Sequence, residues 1–220
     1  MGKLQPTKPL LIMLYGMPGS GKTFFSRQLC EQISAAHVQG DRIRDELFEK
    51  PTYSKEENHI VASLMTYMTG EFLQAGISVV FDTNAMRMTQ RRALRNLAIK
   101  AGAHPVLLWM QIDPDSAFKR SSRRDRRKQD DHYAQEMEPS VFRELIGGMQ
   151  NPDITERYLV LSGKHVFGTQ KNAVLRYLIE KRLIDLDPAA NQISKPGLVN
   201  LIPNPAAGRV DMSRRNISIQ

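Results

Sequence analysis

Short apolar runs alternate with stretches of helical period through most of the chain. "LLIMLY" (residues 10–15) is six apolar residues ending at Gly16, as in a central strand covered on both faces. Residues 23–35 follow with Phe24, Leu29 and Ile33 at helical spacing, and "HVQG" (37–40) reads as a short second strand. Ile60, Val61, Leu64, Met65, Tyr67, Met68, Phe72 and Leu73 form the apolar face of a helix that Gly76 ends. "ISVVFD" (77–82), "HPVLLWMQI" (104–112) and "RYLVLSG" (157–163) read as three further strands. Between and after them lie a basic helix over 89–101, a helix opened by Asp113-Pro114 that runs into an arginine-rich segment, and a last helix over about 169–183. Strands alternating with helices predict an α/β fold, a parallel five-stranded sheet with helices on both faces, whose ligands lie beyond the carboxyl ends of the strands. Residues 188–220 are rich in Pro, Gly and Asn without helical period. They read as an irregular tail, with room for one edge strand, after a single domain over 1–187 whose basic helical lid covers about 115–150.

Composition changes this picture little. The 220 residues are 41% hydrophobic and 25% charged, as in an ordinary globular domain. Cys30 is the only cysteine, so no disulfide forms within the chain and a reducing compartment is expected. The start lacks the apolar core of a signal peptide, and no run of about 18 apolar residues marks a membrane span; the expectation is a cytoplasmic protein with no membrane partner. The net charge of +8 is concentrated: residues 119–128 carry +6 and residues 188–220 carry +3, leaving the remainder near neutral. That excludes a uniformly basic nucleic-acid coat. The five histidines have no metal-ligand spacing and read as structural or surface residues, and Trp109 reads as core.

"GMPGSGKT" fits G-x-x-x-x-G-K-[ST] between an apolar strand and a helical pattern. The fold expected is therefore that of a three-layer P-loop NTPase. Gly16, Pro18, Gly19, Ser20 and Gly21 would curl the backbone so that successive N–H groups face a phosphate, aided by the start of a helix. Lys22 would reach the β- and γ-phosphates of ATP, and the Thr23 hydroxyl would ligate Mg²⁺. The motif alone says only that a polyphosphate binds.

Residues after the next strands sharpen the reading. Asp82 ends a strand, where an aspartate supports the magnesium, or caps the following helix. A hydrolase usually carries a water-orienting group, often a second acid beside the first, but here Thr83 and Asn84 follow. That favours transfer to a bound acceptor, with a non-kinase NTPase switch as the alternative class, since Asp45 or Glu46 could hold a water. Asp41 directly follows the second strand, so its carboxylate would face the γ-phosphate and can accept the proton of an attacking hydroxyl. Arg44 lies one helical turn on and can hold an anionic group of the acceptor. Arg120 and Arg124, four apart, would share a helix face and close over the transferring phosphoryl group. Most of the remaining charge run from 118 to 131 reads as a solvated face, or as a contact to a polyanionic acceptor. Glu138, ahead of Pro139, can shape an acceptor pocket.

In succession, "GMPGSGKT", "GDRIRDELF", "VVFDTNAMRMTQRRALRNLAIKAG", a basic lid and "YLVLSG" resemble the P-loop kinases grouped with the kinase domain of phage polynucleotide 5′-kinase and, more distantly, zeta toxins. The resemblance covers residues 10–163. It implies ATP and Mg²⁺ as cofactors, Asp41 as general base, Arg44 on an acceptor phosphate, Asp82 and Thr83 at the acceptor site, and Arg120 and Arg124 at the donor phosphates. It implies an ATP-dependent phosphotransferase acting on a hydroxyl, with a polynucleotide 5′ end as first acceptor and a small molecule or nucleotide sugar as the alternative. The sequence departs from the group in lacking an Asp-x-Asp-Gly-Thr phosphatase motif, and the 188–220 tail has no placed counterpart.

Overall fold

The computed structural model describes residues 2–83, 87–129 and 131–184. The tail expected over 188–220 and Asn84 lie outside the described residues. Five strands, β1 (Leu10–Tyr15), β2 (Ala35–Gln39), β3 (Ser78–Asp82), β4 (His104–Gln111) and β5 (Tyr158–Ser162), form one sheet in the order β2-β3-β1-β4-β5. Every neighbouring pair is parallel, so each connection crosses a face of the sheet.

β1 is buried at all six positions, as its unbroken apolar run requires. On one face Leu10, Ile12 and Leu14 pack against Phe25 and Leu29 of α1 (Lys22–Gln32) and Val174, Leu175 and Leu178 of α7 (Phe167–Glu180). On the other, Leu11, Met13 and Tyr15 meet Val61, Met65 and Leu73 of α3 (Lys55–Gln74) and Leu94 and Ala98 of α4 (Met88–Lys100). A short α2 (Gly40–Leu47) leads directly out of β2. α5 (Pro114–Ser121) is capped by the Asp113 side chain, which accepts from Ser116 N, and α6 (Pro139–Gly147) docks Phe142 against Phe118. No helix among the described residues is long and apolar enough to cross a membrane.

Three helices differ by more than one residue from the sequence expectation. The helix expected over 23–35 stops at Gln32, because Ile33 turns extended and bridges to Leu4, releasing Ala35 and Ala36 into β2. The last helix covers Phe167–Glu180 rather than 169–183. The helix expected to run into the arginine-rich segment ends at Ser121, whose hydroxyl donates to Phe118 O, a side-chain bond that competes with helix continuation. Arg120 therefore sits in the last turn of α5 and Arg124 in the irregular crossing beyond it, so the two do not share a helix face.

Candidate active site

The glycine loop joins β1 to α1 and is held from both sides. Gly19 has φ +79°, and a Cβ there would lie 2.1 Å from Ala117 O of α5; a Cβ on Gly163 would lie 2.6 Å from Ser20 O. Lys22 Nζ donates to Gly16 O at 2.8 Å and Met17 O at 2.9 Å, so the ammonium spans the loop. Burial lowers the Lys22 pKa to about 8, although the Asp82 and Asp41 carboxylates raise it. Gly21 caps α1 without a side-chain bond, leaving first-turn N–H groups for a ligand. Ser20 Oγ is buried with no partner. Uncapped first-turn N–H groups, an orphaned hydroxyl and a buried ammonium together fit a polyphosphate.

Beside the loop, beyond the carboxyl ends of β2 and β3, lies a cavity of about 1040 Å³. Its walls bring together Pro18, Thr23, Asp41, Arg44, Asp82, Thr83 and Arg124, along with residues of α3 and of the segment leading into α6, Glu138 included. Gln39 pairs with Asp82 across the sheet, which puts Asp41 and Asp82 at adjacent strand ends. The two acids are near enough to interact: burial first, then the Asp82 charge, push the Asp41 pKa up to about 6, against the pull of Lys22, Arg124 and Arg44.

Thr23 and Asp82 supply hard oxygen donors on that wall, Asp82 only 3% exposed. Among the described residues no group of three or more His, Cys, Asp or Glu forms a complete metal cage. One carboxylate and one hydroxyl suit a magnesium ion whose other ligands are water and phosphate oxygens.

The arginines behave differently from one another. Arg44 is 6% exposed and already engaged: Nη1 donates to Glu57 Oε2 at 2.9 Å, Nη2 donates to Asn58 Oδ1, and the guanidinium lies 4.5 Å from the Tyr53 ring centroid. Its Nε is buried and unpartnered. Arg124 donates from Nη1 to Asp131 Oδ1 at 2.7 Å and likewise keeps a buried Nε without a partner. Arg120 is exposed, donates to Gly163 O at 2.9 Å and does not line the cavity.

Sequence reading missed Tyr53, Glu57, Asn58 and His37. Ser54-x-x-Glu57 is a capping-box pattern that marks the start of α3, although nothing local ties Glu57 to Arg44. His37, read from sequence as structural or surface, contacts Asp82, with Nε2 3.2 Å from Oδ2.

Comparison with known proteins bears on the family and the fold. A family model described as an AAA domain matches residues 11–145, more than half of the chain. The chain belongs to the AAA domain family. This AAA domain is also 28% identical, over 108 residues, to the sulfate adenylyltransferases of Neosartorya fischeri and Aspergillus fumigatus. The match covers 46% of the chain and only 19% of those curated relatives' length. Among solved structures, it resembles Chaetomium thermophilum Kti12 in complex with ADP-AlF3 (TM-score 0.60, 16% identity, 80% of this chain and 99% of that one). It also resembles the Mycobacterium tuberculosis APS kinase CysC in complex with AMPPNP and APS (TM-score 0.56, 18% identity, 79% and 99%). The AAA domain thus has the three-layer α/β fold of P-loop kinases.

Proposed function

We propose that the protein is an ATP-dependent kinase that transfers the γ-phosphoryl group to a hydroxyl acceptor bound in the large cavity. The observation that carries this reading is the position of Asp41. It is a half-buried carboxylate with pKa near 6, on a cavity wall shared with Thr23 of the phosphate loop and wide enough for a second substrate. A hydrolase would need only room for water.

In this reading the glycine loop and Lys22 bind the β- and γ-phosphates. Asp41 accepts the acceptor's hydroxyl proton as the oxygen bonds to the γ-phosphorus and the bond to the ADP oxygen breaks. Thr23 and Asp82 would hold magnesium, which would supply charge neutralisation across the phosphates. Arg124, whose Nε has no partner, would meet the transferred group, and Arg44, fixed by Glu57, would orient the acceptor together with Thr83. Arg120 ties the root of the lid to the connection after β5.

A polynucleotide 5′-hydroxyl is the first acceptor proposed, supported by the exposed Arg123, Arg126, Arg127 and Lys128 of the crossing that also carries Arg124. A small-molecule or nucleotide-sugar acceptor is the second reading. It is favoured by the cavity wall itself, where Glu136 and Glu138 join amides and apolar groups and, among the described residues, the only basic ones are Arg44 and Arg124. The test is γ-labelled ATP and Mg²⁺ with 5′-OH oligonucleotides, nucleosides, nucleotide sugars or no acceptor, using wild type and Asp41→Asn. Label on one acceptor class with wild type alone supports the kinase and names its substrate. Acceptor-independent phosphate release that survives Asp41→Asn overturns it.

A further inference from the structure

His37 lies on β2, an edge strand of the sheet. Its register partner on β3 is Val80, while Gln39, two residues on, pairs with Asp82. Side chains two apart on a strand share a face, so His37 and Asp82 are diagonal neighbours, within reach of a long side chain. Val80 packs into the apolar cluster that includes α1, so the shared face is the one α1 covers, and α1 carries Thr23 in its first turn. The ring closes the gap: Nε2 lies 3.2 Å from Asp82 Oδ2, with the His37 side chain 20% exposed and that of Asp82 3% exposed. It is the one hydrogen-bonding side chain found on the Asp82 carboxylate among the described residues.

From this geometry we infer that His37 is a positioning residue for the metal site, holding Oδ2 of Asp82 so that the carboxylate keeps a fixed orientation toward Thr23 and the nucleotide phosphates. The inference rests on the proposed role of Asp82 at a magnesium ion. An ionised carboxylate only accepts hydrogen bonds, so the facing nitrogen carries the proton and donates; the tautomer follows from the partner. One oxygen is thereby occupied and the carboxylate's rotation is fixed. Without that bond, Asp82 would have to be oriented by the incoming cation, and the cost of ordering it would fall on metal affinity. Loss of such outer partners typically weakens metal sites by roughly 10–100-fold.

The experiment measures Mn²⁺ binding to the full chain in the presence of ADP, by electron paramagnetic resonance titration of free Mn²⁺. It uses wild type, His37→Leu, His37→Gln, Asp82→Asn and the His37→Leu/Asp82→Asn double variant. ADP binding without metal and the thermal midpoint are measured alongside. His37→Leu is expected to weaken Mn²⁺ binding by roughly tenfold or more, with metal-free ADP binding unchanged. His37→Gln, which keeps a donor at similar reach, should restore most of the loss. Adding His37→Leu to Asp82→Asn should change Mn²⁺ binding no further. Mn²⁺ affinity equal to wild type in His37→Leu overturns the inference, as does a loss that tracks the thermal midpoint and that glutamine does not rescue. If His37→Leu fails to fold, a second donor-removing variant, His37→Ala, compared in the wild-type and Asp82→Asn backgrounds decides. An equal effect in both backgrounds overturns the inference; an effect in wild type alone supports it. Wild type that shows no ADP-dependent Mn²⁺ binding overturns the metal assignment together with it. Wild type that transfers phosphate while His37→Leu binds Mn²⁺ normally overturns the His37 role alone.

Discussion

Arg44 donates to Glu57 at 2.9 Å, and through that one pair the Arg44 wall of the cavity is tied to the first turn of α3. Glu57 also accepts from Thr52 N, Thr52 Oγ1 and Tyr53 N, so one carboxylate organises the whole 51–54 turn. The turn is strained: Tyr53 has φ +56°, a conformation that costs a residue with a side chain about 1–2 kcal/mol. Strain of this kind persists where its surroundings over-determine it. Here that means the Glu57 bonds from one side and the Arg44 guanidinium over the Tyr53 ring from the other.

Glu57→Gln should therefore act on the acceptor more than on ATP. The expected result is a rise in acceptor KM of about tenfold, the scale of one charge-assisted hydrogen bond, with the KM for ATP unchanged. The same carboxyl shapes acid stability. The hydrogen bonds, foremost that from the Thr52 hydroxyl, lower its pKa to about 2 from 4.5. A carboxyl with a lowered folded-state pKa stabilises fully above its unfolded value and loses that contribution as pH falls from 4.5 toward 2. Glu57→Gln should flatten the pH dependence of the thermal midpoint in that window. An unchanged slope there, with an unchanged acceptor KM, would remove Glu57 from the site.

Asp41 and Lys22 set the expected pH profile. The Asp41 pKa is about 6 and the Lys22 pKa about 8, so kcat/KM for ATP should be bell-shaped with limbs near those values. The acid limb should disappear with the residual activity of Asp41→Asn. The stability consequence has the opposite sign to that of Glu57: Asp41 is raised from 3.8, so the folded state binds its proton more tightly. Its stabilising contribution is complete below the unfolded value and is lost as pH rises through about 6. Asp41→Asn should accordingly melt above wild type at pH 8 and match it near pH 4. Equal melting temperatures at both pH values would contradict an Asp41 whose desolvation outweighs the pull of Lys22, Arg124 and Arg44.

Much of this arrangement is legible in the sequence, for a physical reason. A parallel sheet places the residues after its strands on one edge, so locating β1, β2 and β3 located Gly16 to Thr23, Asp41 and Asp82 as well. What the sequence left hidden depends on side chains that meet across the fold. Glu57 reaches Arg44 from another helix and His37 reaches Asp82 from another strand, and neither contact has a local periodicity. The Arg120–Arg124 pairing failed for the opposite reason: helical spacing was extended past Ser121, where a serine bond to the backbone helps end the helix.

The glycine loop offers a contrast between two positive-φ residues. Gly21 has φ +95°, but a Cβ there would meet only Met110 Cε at 4.0 Å, so Gly21→Ala should cost about 1–2 kcal/mol from backbone strain alone. Gly19 has φ +79° and a Cβ that would sit 2.1 Å from the backbone oxygen of Ala117, which cannot swing away as a side chain can. Gly19→Ala must displace α5 from the phosphate loop and should lose more stability than Gly21→Ala, together with ATP binding. Urea midpoints and nucleotide titration of the two variants check this; equal losses would mean that α5 does not press on the loop.

Arg124 and Arg120 should separate cleanly in kinetics. Arg124 lines the cavity, interacts with Asp41 and Lys22, and keeps a buried Nε without a partner while Asp131 holds its other end at 2.7 Å. In the proposed reading, a guanidinium so placed serves the transition state more than the ground state. Arg124→Ala should then lower kcat by about 10³-fold, the lower range for a catalytic arginine, with little change in either KM. Asp131→Asn should give a smaller loss of the same kind, since it frees the arginine without removing it. Arg120 instead spends its guanidinium on the Gly163 carbonyl, outside the cavity and beside the loop that holds Ser20. Arg120→Ala should mainly raise the KM for ATP by loosening α5 from the connection after β5. A kcat loss for Arg120→Ala as large as that for Arg124→Ala would instead place both arginines on the transferring phosphoryl group, and would require the crossing beyond Ser121 to rearrange when ATP binds.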